Sequence, residues 1–276
     1  MGTSQSSNGP PSGVPLVPPW VDDPPGDGAP PENQAPDQGQ PDPVQPDALT
    51  PTLAPAARFG SARRSLGRYA ESGDRDHLRK GVGRYVSTGL GGGASATSRM
   101  AGTARTASSL YSVLGGGGAG GGEQPRLDRD ALRDGSAEDT IKAVVDAVRP
   151  VDGSDDAEAT RNSANDALTE LVGRYPDADL LDLTEEQRVF VLERFVSMDV
   201  YRRFALDVGK HIQDKAPSAT VGLSRLRQAR EYIRETVIAS FQRVRASGRA
   251  LSGAGIARLV QRVLRDAFDV FSEYAE

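Results

Sequence analysis

The sequence predicts an all-α protein: a C-terminal bundle of about five helices, preceded by short Gly-rich helices and a disordered, Pro-rich N-terminal tail. Three observations predict it. From residue 136 onward apolar side chains recur at steps of three and four, and no stretch alternates long enough to read as a strand. Of the 19 prolines, 15 lie between Pro10 and Pro55, where they interrupt helix and ladder hydrogen bonding. Charge divides along the same lines. Residues 1–57 carry seven acids and no base, net −7; residues 58–122 carry ten bases and three acids, net +7, with 17 of the 31 glycines. Residues 123–276 carry 23 bases and 28 acids, net −5. The boundaries read as a tail (1–57), a basic Gly/Ala-rich helical segment (58–114), a Gly-rich linker (115–135) and the bundle (136–276).

In the tail the few apolar residues are separated by prolines, so no core can form there and polyproline II is the default. The cluster Val14-Pro15-Leu16-Val17-Pro18-Pro19-Trp20 stands out, because it sets the only tryptophan beside aliphatics and three prolines. It reads either as linker or as a short docking segment; the docking reading is favoured because Trp offers a large contact area and proline lowers the entropy lost on binding. At the start, Met1-Gly2-Thr3-Ser4-Gln5-Ser6 formally fits an acylation pattern. The small second residue also permits removal of Met1, which leaves Gly2 as a free α-amine. Such an amine, with pKa near 8, is roughly 10% unprotonated at pH 7, against about 0.04% for a lysine near 10.4. No lysine precedes Lys80 to compete with it. An unmodified end, an acylated end and an end conjugated by a partner enzyme all remain open on spacing alone.

In the basic segment, Phe59, Leu66 and Tyr69, then Leu78, Val82, Tyr85 and Val86, fit two short helices. A third, from about Ala94 to Leu114, is built of Ala, Ser, Thr, Gly and Arg, and needs a partner surface because small residues bury little area. Gly91-Gly92-Gly93 before it reads as a phosphate cradle or, more in keeping with the missing Lys-Ser/Thr pair, as a loop or close helix contact. Arg63, Arg64, Arg68, Arg79, Lys80 and Arg84, with Arg75 among them, form a basic patch. It suits an acidic partner or the acidic tail better than nucleic acid, since no aromatic residues interleave for base stacking. Residues 115–122 (GGGGAGGG) are a tether.

In the bundle, Ile141, Val144, Val145 and Val148 mark the first helix, stopped at Pro150. Ala157, Ala164, Leu168, Leu171, Val172 and Tyr175 mark the second, ended by Pro176. Thr184-Glu185-Glu186-Gln187 is a capping box that opens the third, which runs through Val189, Phe195 and Phe204 to Ile212; its broad apolar circumference marks it as the central helix. Pro217 suits the first turn of the fourth, from Leu223 to Val244, and Ile256 to Tyr274 form the fifth. The fourth carries Arg225, Arg227, Arg230, Arg234, Arg243, Arg245 and Arg249 against Glu231 and Glu235, a face for solvent or an acidic partner.

Chemistry is sparse. Without cysteine there is no disulfide, thiolate metal site or thiol nucleophile. His77 and His211 alone cannot furnish a zinc site or a triad, and His211 reads as a packing or helix-end contact. Asp152, Asp155, Asp156 and Glu158 read as an acidic helix start, lacking the ligand spacing of a calcium loop. No catalytic residue, metal or cofactor is assigned, and an enzyme is not expected. No apolar run approaches the roughly 20 residues that span a bilayer, and no signal-like leader is visible, so a soluble, cytoplasmic protein is expected.

Three blocks are distinctive: MGTSQSSNGPPSGVPLVPPW, ARFGSARRSLGRYAESG and GRYVSTGLGGGASATSRMAGTARTASSLYSVL. The chain resembles, along its whole length, the QatB proteins of the bacterial Qat anti-phage defence system. The resemblance implies an accessory protein encoded beside a P-loop ATPase (QatA), a QueC-like enzyme (QatC) and a TatD-like nuclease (QatD). QueC enzymes activate 7-carboxy-7-deazaguanine with ATP and deliver it to an amine. The resemblance therefore implies a protein amine as acceptor, and Gly2 meets that requirement, with Thr3, Ser4, Leu16, Val17, Pro18, Pro19 and Trp20 as candidate recognition elements. On this expectation the chain is substrate and scaffold, and the acylation pattern loses weight because bacteria do not ordinarily perform that modification. The alternatives are a pure interaction scaffold for the ATPase or a nucleic-acid-binding accessory protein.

Overall fold

Spacing of apolar residues and capping chemistry set the helix ends in a computed structural model that describes residues 57–115, 127–132, 135–151, 153–246 and 253–276. The first four helices are α1 (Gly60–Ser72), α2 (Arg75–Arg84), α3 (Gly92–Arg99) and α4 (Ala101–Val113). A one-turn α5 (Arg129–Leu132) leads to α6 (Ala137–Val148), α7 (Asp155–Arg174) and α8 (Glu185–Phe204). Helices α9 (Lys210–Lys215), α10 (Ala219–Ala246) and α11 (Gly253–Glu273) complete the chain. π-Helical stretches follow α2 (Tyr85–Gly89) and join α8 to α9 (Ala205–Gly209). No β-strand forms among the described residues, where Gly115 and Asp182 make one isolated bridge. The all-α expectation holds. Gly2, Thr3, Ser4, Leu16, Val17, Pro18, Pro19, Trp20, residues 116–126 of the linker, Asp152 and Arg249 lie outside the described residues.

Three ends depart from the expected spacing. The single helix expected over 94–114 is broken at Met100, whose N–H is shared between the Ala96 and Thr97 carbonyls at 3.2 and 3.1 Å. Thr97 contributes by turning its hydroxyl back onto Gly93 O at 2.7 Å, a bond that competes with regular helix. The long third bundle helix is interrupted by its π-helical stretch after Phe204. Pro217 precedes the first turn instead of joining it; Ser218 caps α10, its hydroxyl accepting from Val221 N at 3.2 Å.

The basic segment and the bundle share one core. Fully buried Leu66 and Tyr69 of α1, Leu110 of α4, Phe195 and Phe204 of α8, Phe241 of α10 and Phe268 and Phe271 of α11 all belong to it. The small-residue helix finds its partner surface here: α4 packs on α6, α8 and α11, burying Ala104, Ala107 and Leu110. The central position is shared, since α8 contacts α4, α7 and α10 while α11 contacts α2, α3, α4 and α10. Within the stretch read as a linker, Arg129 donates to Leu181 O and Val113 O, both at 2.7 Å, and so holds α5 against the bundle.

Candidate partner interface

The α1–α2 turn positions the basic patch. Gly73 ends α1 at φ +78°, a left-handed conformation that suits glycine, and its N–H bonds Tyr69 O at 2.7 Å. Asp74 then caps α2, accepting from Asp76 N at 2.8 Å. Helix α2 folds back and lies close to α11 through Gly83: a Cβ there would stand 2.7 Å from Phe271 O.

This geometry divides the patch read from the sequence. Arg84 is half-buried and structural, donating from Nε to Ala275 O at 3.0 Å and from Nη1 to Ser65 Oγ at 2.9 Å. Arg63 donates to Asp207 O at 3.2 Å, and its own carbonyl meets His211 Nε2 at 2.9 Å. His211 is thus a packing contact between α1 and α9. Arg64, Arg68 and Lys80 are exposed. Arg79 pairs with Asp76 at 3.5 Å and lies 5.7 Å from the centre of the Tyr274 ring.

Arg79 also joins residues far away in sequence. Between α2 and α10 runs a groove of about 450 Å³ walled by Arg75, Arg79, Arg227 and Arg230, with Leu78 and Tyr232 between them. Glu231 and Glu235 are its acids, so four guanidiniums against two carboxylates leave a net of +2. The arginines of α10 have separated by task. Arg234 binds Glu170 of α7 at 3.1 Å and Arg243 binds Asp266 of α11 at 2.6 Å, while Arg227 and Arg230 are exposed and form no ion pair among the described residues. Tyr232 packs on Phe271 with ring centres 5.6 Å apart. Burial, reinforced by nearby Tyr274, pushes its hydroxyl up to about 12, so it stays neutral throughout the physiological range. Beneath the surface Tyr69, raised to about 12 by burial, donates to Arg225 O at 2.8 Å.

A groove with surplus guanidinium donors and an aromatic wall suits an acidic polypeptide surface. The sequence marked both basic stretches but not their union, because nothing local pairs α2 with α10; Leu78 counted there only as an apolar helix position. At α3, the close-contact reading of Gly93 is the one realised: a Cβ at that position would collide with Asp269 Oδ1 of α11. No group of three or more metal-ligating side chains occurs among the described residues. No helix among them is long and apolar enough to cross a membrane.

A family model now bears on this architecture: that of the Qat anti-phage system associated protein QatB matches residues 91–271, from the glycine turn before α3 into the last turn of α11. The chain belongs to the QatB family. Membership makes it a component of the Qat anti-phage defence system, with other Qat components as its partners. No curated protein and no solved structure matches the chain. The QatB match includes Arg227 and Arg230, whereas Arg75 and Arg79 precede it.

Proposed function

We propose that this QatB-family chain is a non-catalytic substrate and scaffold of the Qat system, acting in the cytoplasm, whose Gly2 becomes conjugated to a 7-deazaguanine. The family membership is the observation that carries the reading, and the amine inventory directs it to Gly2. Removal of Met1 exposes an α-amine roughly 250-fold richer in free base than a lysine at pH 7. In the conjugation the Gly2 nitrogen attacks the ATP-activated carboxyl carbon of the 7-carboxy-7-deazaguanine. A C–N bond forms, the activating group leaves with the carboxyl oxygen, and the amine gives up a proton. The QueC-like QatC would supply activation and catalysis. Thr3, Ser4 and the Leu16–Trp20 cluster would present the terminus, and the helices would dock to QatA or QatD.

The experiment is a block of the amine. Residues added before Gly2, in a processing-resistant form, should abolish protection against phage while leaving the helical domain folded. Full protection with the blocked end contradicts the proposal. A second reading, a pure scaffold for the P-loop ATPase, is favoured by the α2–α10 groove. Replacing residues 2–57 by Gly/Ser separates the two readings, since a tether survives the exchange and a substrate does not.

A further inference from the structure

A second cavity, of about 260 Å³, opens where α3, α7, α8 and α11 approach both π-helical stretches. The first stretch contributes Tyr85 and the second contributes Leu206 and Asp207 to its wall. Such widened turns displace side chains from the regular ladder, and they recur at functional sites. Buried Met100, Val200 and Phe268 give it an apolar floor.

Around that floor stand Arg58, Arg99 and Arg203, faced by two carboxylates that are already engaged. Asp207 Oδ2 accepts from the Tyr85 hydroxyl at 2.9 Å, and Asp156 Oδ2 accepts from Arg203 Nη1 at 2.9 Å. Arg58 makes an ion pair with Asp207 Oδ1 at 3.7 Å, too long for a hydrogen bond, so its N–H donors are not taken up there. Arg203 Nε is buried without a partner. Arg99, exposed at the end of α3, makes no ion pair or hydrogen bond among the described residues. Three guanidiniums against two carboxylates leave a net of +1, with forked donors unspent beside an apolar surface. That combination complements a carboxylate or phosphate carried on an apolar body. The volume lies just below the roughly 300–1,000 Å³ of ordinary ligand pockets, which sets a limit near a single small ring.

We propose that this cavity binds a small organic anion, a carboxylate or phosphate monoester on a compact apolar body. Arg99 and Arg58 take the anionic group, and Met100 and Phe268 take the apolar part.

The test is thermal unfolding of the full chain with benzoate, phenyl phosphate, inorganic phosphate and neutral benzyl alcohol. At about tenfold excess over its Kd, benzoate or phenyl phosphate should raise Tm by roughly 3–6 °C. The larger of the two shifts identifies the preferred head group. Benzyl alcohol should give no shift, and inorganic phosphate less than phenyl phosphate. Arg99→Glu should abolish the shift while keeping the parent Tm, because the exposed side chain holds nothing in place. No shift with either organic anion overturns the proposal, as does an equal shift with benzyl alcohol or inorganic phosphate, or a shift that survives in Arg99→Glu.

Discussion

Arg84 Nε donates to the carbonyl oxygen of Ala275 at 3.0 Å, fastening the end of α2 beside the end of α11. The same guanidinium donates to Ser65 Oγ of α1 at 2.9 Å, so one side chain ties three helices. Arg84→Ala leaves both acceptors unmet and should cost about 1–3 kcal/mol in urea unfolding. Arg64→Ala, on the exposed face of α1, should change stability by less than about 0.5 kcal/mol. Equal effects would show that the basic segment contributes charge alone.

Two glycines should respond in opposite directions. Gly83→Ala places a methyl 2.7 Å from Phe271 O and 2.8 Å from Ala275 N, both backbone atoms, so α2 must move off α11. A loss of about 1–3 kcal/mol is expected. At Gly102, in the first turn of α4, nothing lies within 4 Å of an added Cβ. Gly102→Ala should therefore stabilise by about 0.4–1 kcal/mol, as seen in the denaturation midpoint.

Asp199 gives the fold a pH signature. Its carboxylate is fully buried and accepts from the Thr103 hydroxyl at 2.5 Å, and burial holds it above its ordinary value of 3.8. The folded chain therefore keeps this proton at pH values where the unfolded chain has lost it. Ionisation of Asp199 costs stability: the cost is absent below about 3.8 and grows as pH rises through the folded value. Asp139 and Asp146, held low by hydrogen bonds from Ser136 and Arg161, act oppositely in acid. Comparison with Asp199→Asn isolates the buried group. The variant should match or exceed the parent at neutral pH and lose the downward trend, as measured by unfolding midpoints across pH.

For the α2–α10 groove, Arg79→Glu combined with Arg230→Glu reverses its charge without touching a buried contact between the two helices. Binding to the other purified Qat components should fall at least tenfold, and parental binding should weaken with salt over the range where exposed charges are screened. Unchanged affinity in the double variant would remove the groove from the interface.

Much of the helical framework was legible because it is local. Thr184 and Gln187 form the expected reciprocal cap, with Thr184 N donating to Gln187 Oε1 at 2.9 Å. Ser136 and Asp139 form a second box that the Glu/Gln pattern does not include, since the shorter Asp139 side chain closes it. The π-helical stretches left no periodic trace: one extra residue within a run of apolar side chains still falls near a buried face. The groove was illegible for a different reason. Arg79 and Arg230 are 151 positions apart, and the packing of α2 and α10 against α1 and α11 brings them together. Of the proposed sites, Gly2 rests on amine chemistry together with the family resemblance, neither of which depends on the helical packing.

The most direct measurement is the intact mass and N-terminal peptide spectrum of the full chain, isolated from cells with an active, complete Qat system. The account predicts loss of Met1 and a 7-deazaguanine joined by an amide to Gly2. An unmodified Gly2 in cells that resist phage would contradict it.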